Sequence, residues 1–219
     1  MKQIHFRLPL GFLFAISVWV AWLVMPQPAS GLPWLLNTVW MQLPTAVQKA
    51  TLQDSLGPLQ AGEQWTPAPA EATLLVGNPP AGTPCQWSIY ARRSLWKVEA
   101  RMQGTADGQF YLRVWPEDEG VRSTCALAPA DLAAKQAQPK PTALAPGEYL
   151  VGTEILPGRY IGGTKNPAGS HCLWQRQMMA GIGPDGNLDM ADRVGAFIVT
   201  VQKTDQALTT TCPLELLTP

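Results

Sequence analysis

From Leu8 to Met25 the chain reads LPLGFLFAISVWVAWLVM, with no charged residue. A helix of that length, at about 1.5 Å per residue, is roughly 27 Å long and can cross a hydrocarbon core about 30 Å thick. Lys2 and Arg7 precede the run, and the next basic residue is Lys49. The positive-inside bias therefore predicts a cytoplasmic N-terminus, residues 1–7, a transmembrane helix over 8–25, and everything later outside. The rival reading is a cleaved signal peptide, whose apolar core is shorter and ends at a small-x-small site. Here the first small pair, Ala29-Ser30, follows Gln27 and Pro28. A retained anchor is the reading adopted and a secreted protein the alternative; both export the rest of the chain.

Residues 32–56 place Leu35, Leu36, Val39, Trp40, Leu43 and Val47 on one helical face, interrupted by Pro44. This strip reads as a helical stalk or a packing strip, with a membrane-surface helix as the alternative. Beyond it the period changes from helical to two. In Gln109–Trp115, Phe110, Leu112 and Val114 alternate with Gln109, Tyr111 and Arg113. In Gly195–Gln202, Phe197, Val199 and Val201 do the same. Such alternation marks half-buried strands. Leu95, Trp96 and Val98 fall in another candidate strand. Pro/Ala-rich pieces lie between these patterns: 57–72 reads as part of a juxtamembrane stalk (26–72) and 128–146 as a linker.

The phrase PAGTPCQW, Pro80 to Trp87, returns as PAGSHCLW, Pro167 to Trp174. A shift of 87 positions keeps this match ungapped through Gly108/Gly195, Phe110/Phe197, Asp118/Asp205, Cys125/Cys212 and Leu127/Leu214. Fixed-period self-similarity predicts a duplicated unit. The expected modules are residues 73–127 and 147–217. Upstream, Leu74–Gly77 matches Tyr149–Gly152 at a shift of 75, so the first copy is expected to lack the hairpin around Pro157-Gly158.

Four cysteines permit three pairings. The within-copy spacing is 40 in both copies, so a duplicated unit predicts Cys85–Cys125 and Cys172–Cys212. Closing such a loop stabilises by about 4 kcal/mol in the chain-entropy model, which matters for domains this small. Disulfides persist in oxidising compartments, in agreement with export. Trp87 and Trp174, two residues after the first cysteine of each copy, are expected to pack on the bridges as core, together with Phe110 and Phe197.

Composition narrows the function. The 16 basic and 16 acidic residues balance, which argues against nucleic acid, since that partner requires a basic face. No two cysteines lie at zinc-ligand spacing, and Asp185–Asp192 lacks the glycine and glutamate of a calcium loop. The chain has two histidines and none of the common nucleophile, zinc or phosphate-loop motifs. No enzyme, metal or cofactor is expected.

The segments GEYLVGTEILPGRY, CLWQRQ, FIVTVQKTDQAL and TTTC, within 147–217, resemble a small disulfide-stapled β module repeated in uncharacterised bacterial secreted proteins and lipoproteins. Its pattern is GxYxVGxDIxPGxY, then CxWxR, then a terminal cysteine; Glu154 stands in place of the usual aspartate. Residues 73–127 resemble it partially and lack the arginine after the tryptophan, where Ile89 stands. The resemblance implies a fold and an address outside the cytoplasm, with no chemistry attached.

Two small antiparallel all-β modules, sandwiches or half-barrels, are thus expected in tandem after an N-terminal transmembrane helix. The expected role is binding, adhesion or scaffolding at the bacterial cell envelope. Partners are the membrane, through residues 8–25, and an unknown envelope ligand or membrane protein. The candidate surface is Arg159, Tyr160, Arg176 and the 183–192 loop. The alternative is an accessory subunit of a membrane complex.

Overall fold

The computed structural model describes residues 56, 58–94 and 97–218. The expected span at 8–25, nearly all of the 32–56 strip, Leu95 and Trp96 lie outside the described residues. Among the described residues no helix is long and apolar enough to cross a membrane.

The alternating stretches form strands, as their period requires. The first half holds β1 (Gln64–Pro67), β2 (Thr73–Gly77), β3 (Cys85–Ser94), β4 (Lys97–Ala106), β5 (Phe110–Val114), β6 (Asp118–Ser123) and β7 (Leu127–Pro129). A short helix, α1 (Leu132–Ala137), follows. The second half holds β8 (Ala143–Leu144), β9 (Gly147–Leu150), β10 (Gly158–Gly162), β11 (His171–Gln177), β12 (Asn187–Val194), β13 (Phe197–Val201), β14 (Ala207–Thr210) and β15 (Leu214–Thr218). The named strand pairs are all antiparallel. The all-β, tandem architecture expected from the sequence is therefore the one observed.

Each half is a two-layer sandwich. In the first half, sheets β1-β6-β3-β4 and β5-β2-β7 enclose Leu75, Ile89, Phe110, Leu112, Val114 and Val121. In the second, sheets β9-β14-β11-β12 and β13-β10-β15-β8 enclose Tyr160, Trp174, Val199, Val201, Leu208 and Leu214. The strand orders correspond one to one, with β8 as an addition. Cys85–Cys125 and Cys172–Cys212 form disulfides, each with Cα atoms 5.4 Å apart. Trp174 is 7 % exposed within the second core, and Trp87 packs partly buried on the first.

The correspondence of strands corrects the upstream alignment. Leu74–Gly77 lies in β2, the strand between β5 and β7, whereas Tyr149 lies in β9, at the end of its sheet beside β14. The strand that holds β2's place in the second half is β10. A Cβ built on Gly77 would meet the Phe110 ring at 2.3 Å and Leu127 at 3.1 Å; one on Gly162 would meet the Phe197 ring at 2.3 Å and Leu214 at 2.5 Å. The same aromatic ring and leucine thus lie over the same glycine in both halves. The first half has a strand in β9's place too, because β1 pairs with β6 as β9 pairs with β14. No hairpin is missing; an offset of 75 joins segments that the sheets do not equate.

Residues 128–146, read from composition as a linker, are folded against both halves. Ala130 N donates to Leu74 O at 2.8 Å, and Asp131 caps α1 by accepting from Ala134 N at 2.9 Å. Lys135 reaches Glu154 at 2.5 Å and Gln109 at 3.1 Å. Tyr111, Leu150, Ala180 and Ala207 form a third buried cluster, joined by Leu74, Val76 and Ala130. Both halves lie within one compact unit, Lys49–Pro219.

The junction covers an edge. β5 pairs with β2 alone among the named strands, and unpaired strand edges invite aggregation unless covered. Here Gln109 O accepts from Glu148 N at 2.7 Å, and Arg113 N donates to Gly181 O at 2.9 Å. Between them, Tyr111 N donates to Glu148 Oε2 at 3.0 Å, while Gly181 N donates to Glu148 Oε1 at 3.1 Å. Gly181 sits at φ +74°, and a Cβ there would come within 2.6 Å of Arg113 N, so the approach requires glycine.

Candidate functional site

Two of the expected surface residues are structural. Tyr160 is fully buried, and its hydroxyl donates to Leu156 O at 2.6 Å, four residues back. Burial pushes its pKa up to about 12. Tyr149 makes the same bond to Ala145 O at 2.8 Å, and the segments APGEY and LPGRY share the x-P-G-x-Y spacing. In each, the tyrosine pins the turn that precedes its own strand.

Arg176 is likewise committed. Its side chain is 12 % exposed and forks onto Asp205, itself wholly buried, with Nε and Nη2 at 2.7 and 3.0 Å. Asp205 also accepts from Gln202 N at 2.8 Å, and its hydrogen bond raises the arginine pKa. Asp118 makes the equivalent turn in the first half, accepting from Trp115 N at 2.9 Å and from Arg101 twice at 2.8 Å. Arg101 comes from β4, whereas Arg176 comes from β11. The first half keeps the clamp by drawing its arginine from the neighbouring strand, even though Ile89 stands opposite Arg176 in the sequence.

Arg159 is exposed, but alternation sends it to the face opposite Tyr160. Within 183–192, Gly183–Gly186 is a 3-10 turn and the remainder is β12. Arg176 lies beside Asp189 of β12, Nη1 to Oδ2 3.6 Å, whereas Arg159 and Tyr160 stand on β10 in the other sheet.

The concave surface lies instead between and beside the halves. A cleft of about 290 Å³ has Met102, Thr105 and Gln109 on one wall and Gln175, Gln177 and Thr209 on the other, with Glu148 at its lining. An open groove of about 530 Å³ runs over β3 and β4, lined by Gln86, Ser88, Tyr90 and Gln103. Trp87 and Thr105 line both. Alternation builds the groove, because Cys85, Trp87 and Ile89 point inward and leave Gln86, Ser88 and Tyr90 outward.

The cleft is amide- and hydroxyl-rich. Its lining contains Asp107 and Glu148, and no lysine, arginine or histidine among the described residues. Gln177 is 3 % exposed, and among the described residues its Oε1 has no hydrogen-bond partner. A buried acceptor left in that state is destabilising. Trp87 offers its edge only: its ring lies near-parallel to Phe110 at 6.2 Å and covers Gly104. Glu148 is held by two backbone amides, and burial raises its carboxyl pKa to about 7. Glu154, close enough to add to that rise, is occupied by Lys135, Gln109 and Leu150 N, and does not line the cleft.

Neither Glu148 nor Gln177 stands out by motif. A charged residue inside the APGEY strand, in the position that Arg159 holds in LPGRY, was the available signal.

Residues 141–213 match the model of the Rv1352-like extracellular domain family. The match covers a third of the chain and includes the whole Cys172–Cys212 loop. No curated protein and no solved structure matches the chain. A matching extracellular domain and two disulfides support an extracytoplasmic location.

Proposed function

We propose that this protein is a single-pass, N-in envelope protein that binds an uncharged, hydroxyl-rich ligand, a neutral glycan, in the cleft between two copies of one duplicated module. The duplication is supported by the equal strand orders, the shared disulfide spacing and the paired glycine–phenylalanine contacts. The role is non-catalytic: Glu148 has both oxygens engaged, and Glu154 does not line the cleft.

The observation that carries the ligand class is a cleft lined by Gln109, Gln175, Gln177 and four threonines, with no basic side chain among the described residues. Anionic ligands find no counter-charge there, whereas sugar hydroxyls both donate to and accept from amides and threonines. The groove over β3 and β4, with its amides and hydroxyls, extends this surface for a longer chain.

The test is retention of the purified protein on immobilised neutral and acidic glycans. Neutral glycans are expected to retain it, with retention lost in Gln177→Leu at unchanged melting temperature. Retention by acidic glycans alone, or equal retention of Gln177→Leu, would refute the reading.

A further inference from the structure

The edge of β5 is closed by Glu148 and Gly181, but among the described residues nothing closes the outer edge of β12 in this way. β12 pairs with β11 and with no other named strand. It exposes Leu188, Met190 and Val194 to 45, 52 and 55 %. Lysine, proline or a bulge commonly blunts such an edge. β12 contains neither lysine nor proline, and its register shift lies at its start, opposite the Arg176/Gln177 step. Asp189–Val194 therefore runs regularly, and the charges of Asp189, Asp192 and Arg193 alone decide what can pair with it.

That run is complementary to itself. When two copies pair antiparallel about Ala191, Asp189 of each faces Arg193 of the other, and Met190 faces Asp192. A pivot between Met190 and Ala191 would oppose Asp189 and Asp192 twice. A pivot at Met190 would set Asp189 against Ala191 and Arg193 against Asn187, with no ion pair. Opposite charges and apolar pairs across strands are favourable, and like charges directly opposite are not. Arg193 and Asp189 are both exposed, and Asp189, 3.6 Å from Arg176 Nη1, keeps its side chain 53 % exposed.

We propose that the protein forms a two-fold dimer through β12, pivoting at Ala191 and continuing the β9-β14-β11-β12 sheet into a second copy. The contact is isologous, so it closes at two subunits. This inference is independent of the ligand reading.

Residues directly opposite in an antiparallel pair have Cα atoms about 4.5–5.5 Å apart, within disulfide reach. The full chain carrying Ala191→Cys, expressed with its exported part in an oxidising compartment, is expected to give a reducible dimer on a non-reducing gel. Ile198→Cys, on the exposed side of β13, is the control and is expected to stay monomeric. Adding Arg193→Asp to Ala191→Cys is expected to lower the cross-linked fraction at least about fivefold, and the swap Asp189→Arg with Arg193→Asp is expected to restore it. Cross-linking no greater than the Ile198→Cys control overturns the dimer. Cross-linking at 191 that ignores the charge variants overturns the register.

Discussion

Replacing Glu148 by glutamine removes a titrating group from the junction without removing its shape. The carboxyl is raised from 4.5 to about 7, first by burial and then by the nearby Glu154 charge, against the pull of the Tyr111 and Gly181 amides. The folded state thus holds this proton more tightly than the unfolded chain. For an acid raised in this way, the associated stability is complete below about pH 4.5 and is lost as pH rises through about 7. At about 1.4 kcal/mol per pH unit the loss approaches about 3 kcal/mol and levels off above that window. Glu148→Gln mimics the protonated form and cannot follow this slope. At pH 5 it should be near the parent or below it by about 1–3 kcal/mol, since its amide NH2 meets a backbone N–H that needs an acceptor. Between pH 4.5 and 8 its stability relative to the parent should rise by about 3 kcal/mol. Urea unfolding of both proteins across that range, followed by tryptophan fluorescence with disulfides intact, reads the difference directly. A difference that stays flat, or that falls with pH, would refute a buried, proton-holding Glu148.

The remaining predictions concern the two sandwiches. Asp205→Asn strips the Arg176 guanidinium of its buried counter-charge and should lower stability by about 3–5 kcal/mol; the loss on Arg101→Met should be at least as large, because it leaves the Asp118 carboxylate, 1 % exposed, without its counter-charge, and urea midpoints compare the two. Gly162→Ala and Gly77→Ala should each cost about 1–3 kcal/mol by driving a methyl into a phenylalanine ring, and similar melting shifts in the two would support equivalent packing. Replacing Cys172 and Cys212 together by serine should remove about 4 kcal/mol in denaturant unfolding. Non-reducing peptide mapping of the parent should recover 85–125 and 172–212, and any peptide pairing one half with the other would contradict the fold.

The surface proposed from the sequence and the cleft observed differ for an identifiable reason. Along the chain, Arg159, Tyr160 and Arg176 are polar or aromatic residues in a patterned segment and nothing more. A tyrosine after Pro-Gly pins its own turn, and an arginine opposite a buried aspartate is a clamp. Both roles depend on partners, Leu156 O and Asp205, that proximity in space supplies. Tyr111 carries the same lesson. Alternation assigned it to the polar side of β5, yet it is 2 % exposed because the second half covers that side. Its phenol is raised in pKa by burial, and Glu154 adds to the rise.

The sequence by itself determined the local and periodic features: period-two strands, the 87-residue recurrence and the equal cysteine spacing that dictates within-half bridges. Each depends on alternation or spacing along the chain, which the linear order of residues carries. Tertiary structure decided the rest. It equated β2 with β10 where identity favoured β9, folded residues 128–146 against both halves, and gathered Gln109, Gln175, Gln177 and Thr209 into one cleft. Those outcomes depend on which faces meet across the junction. Glu148 and Gly181 satisfy the edge of β5 through hydrogen bonds between residues distant in sequence, and no periodicity along the chain encodes such a pairing.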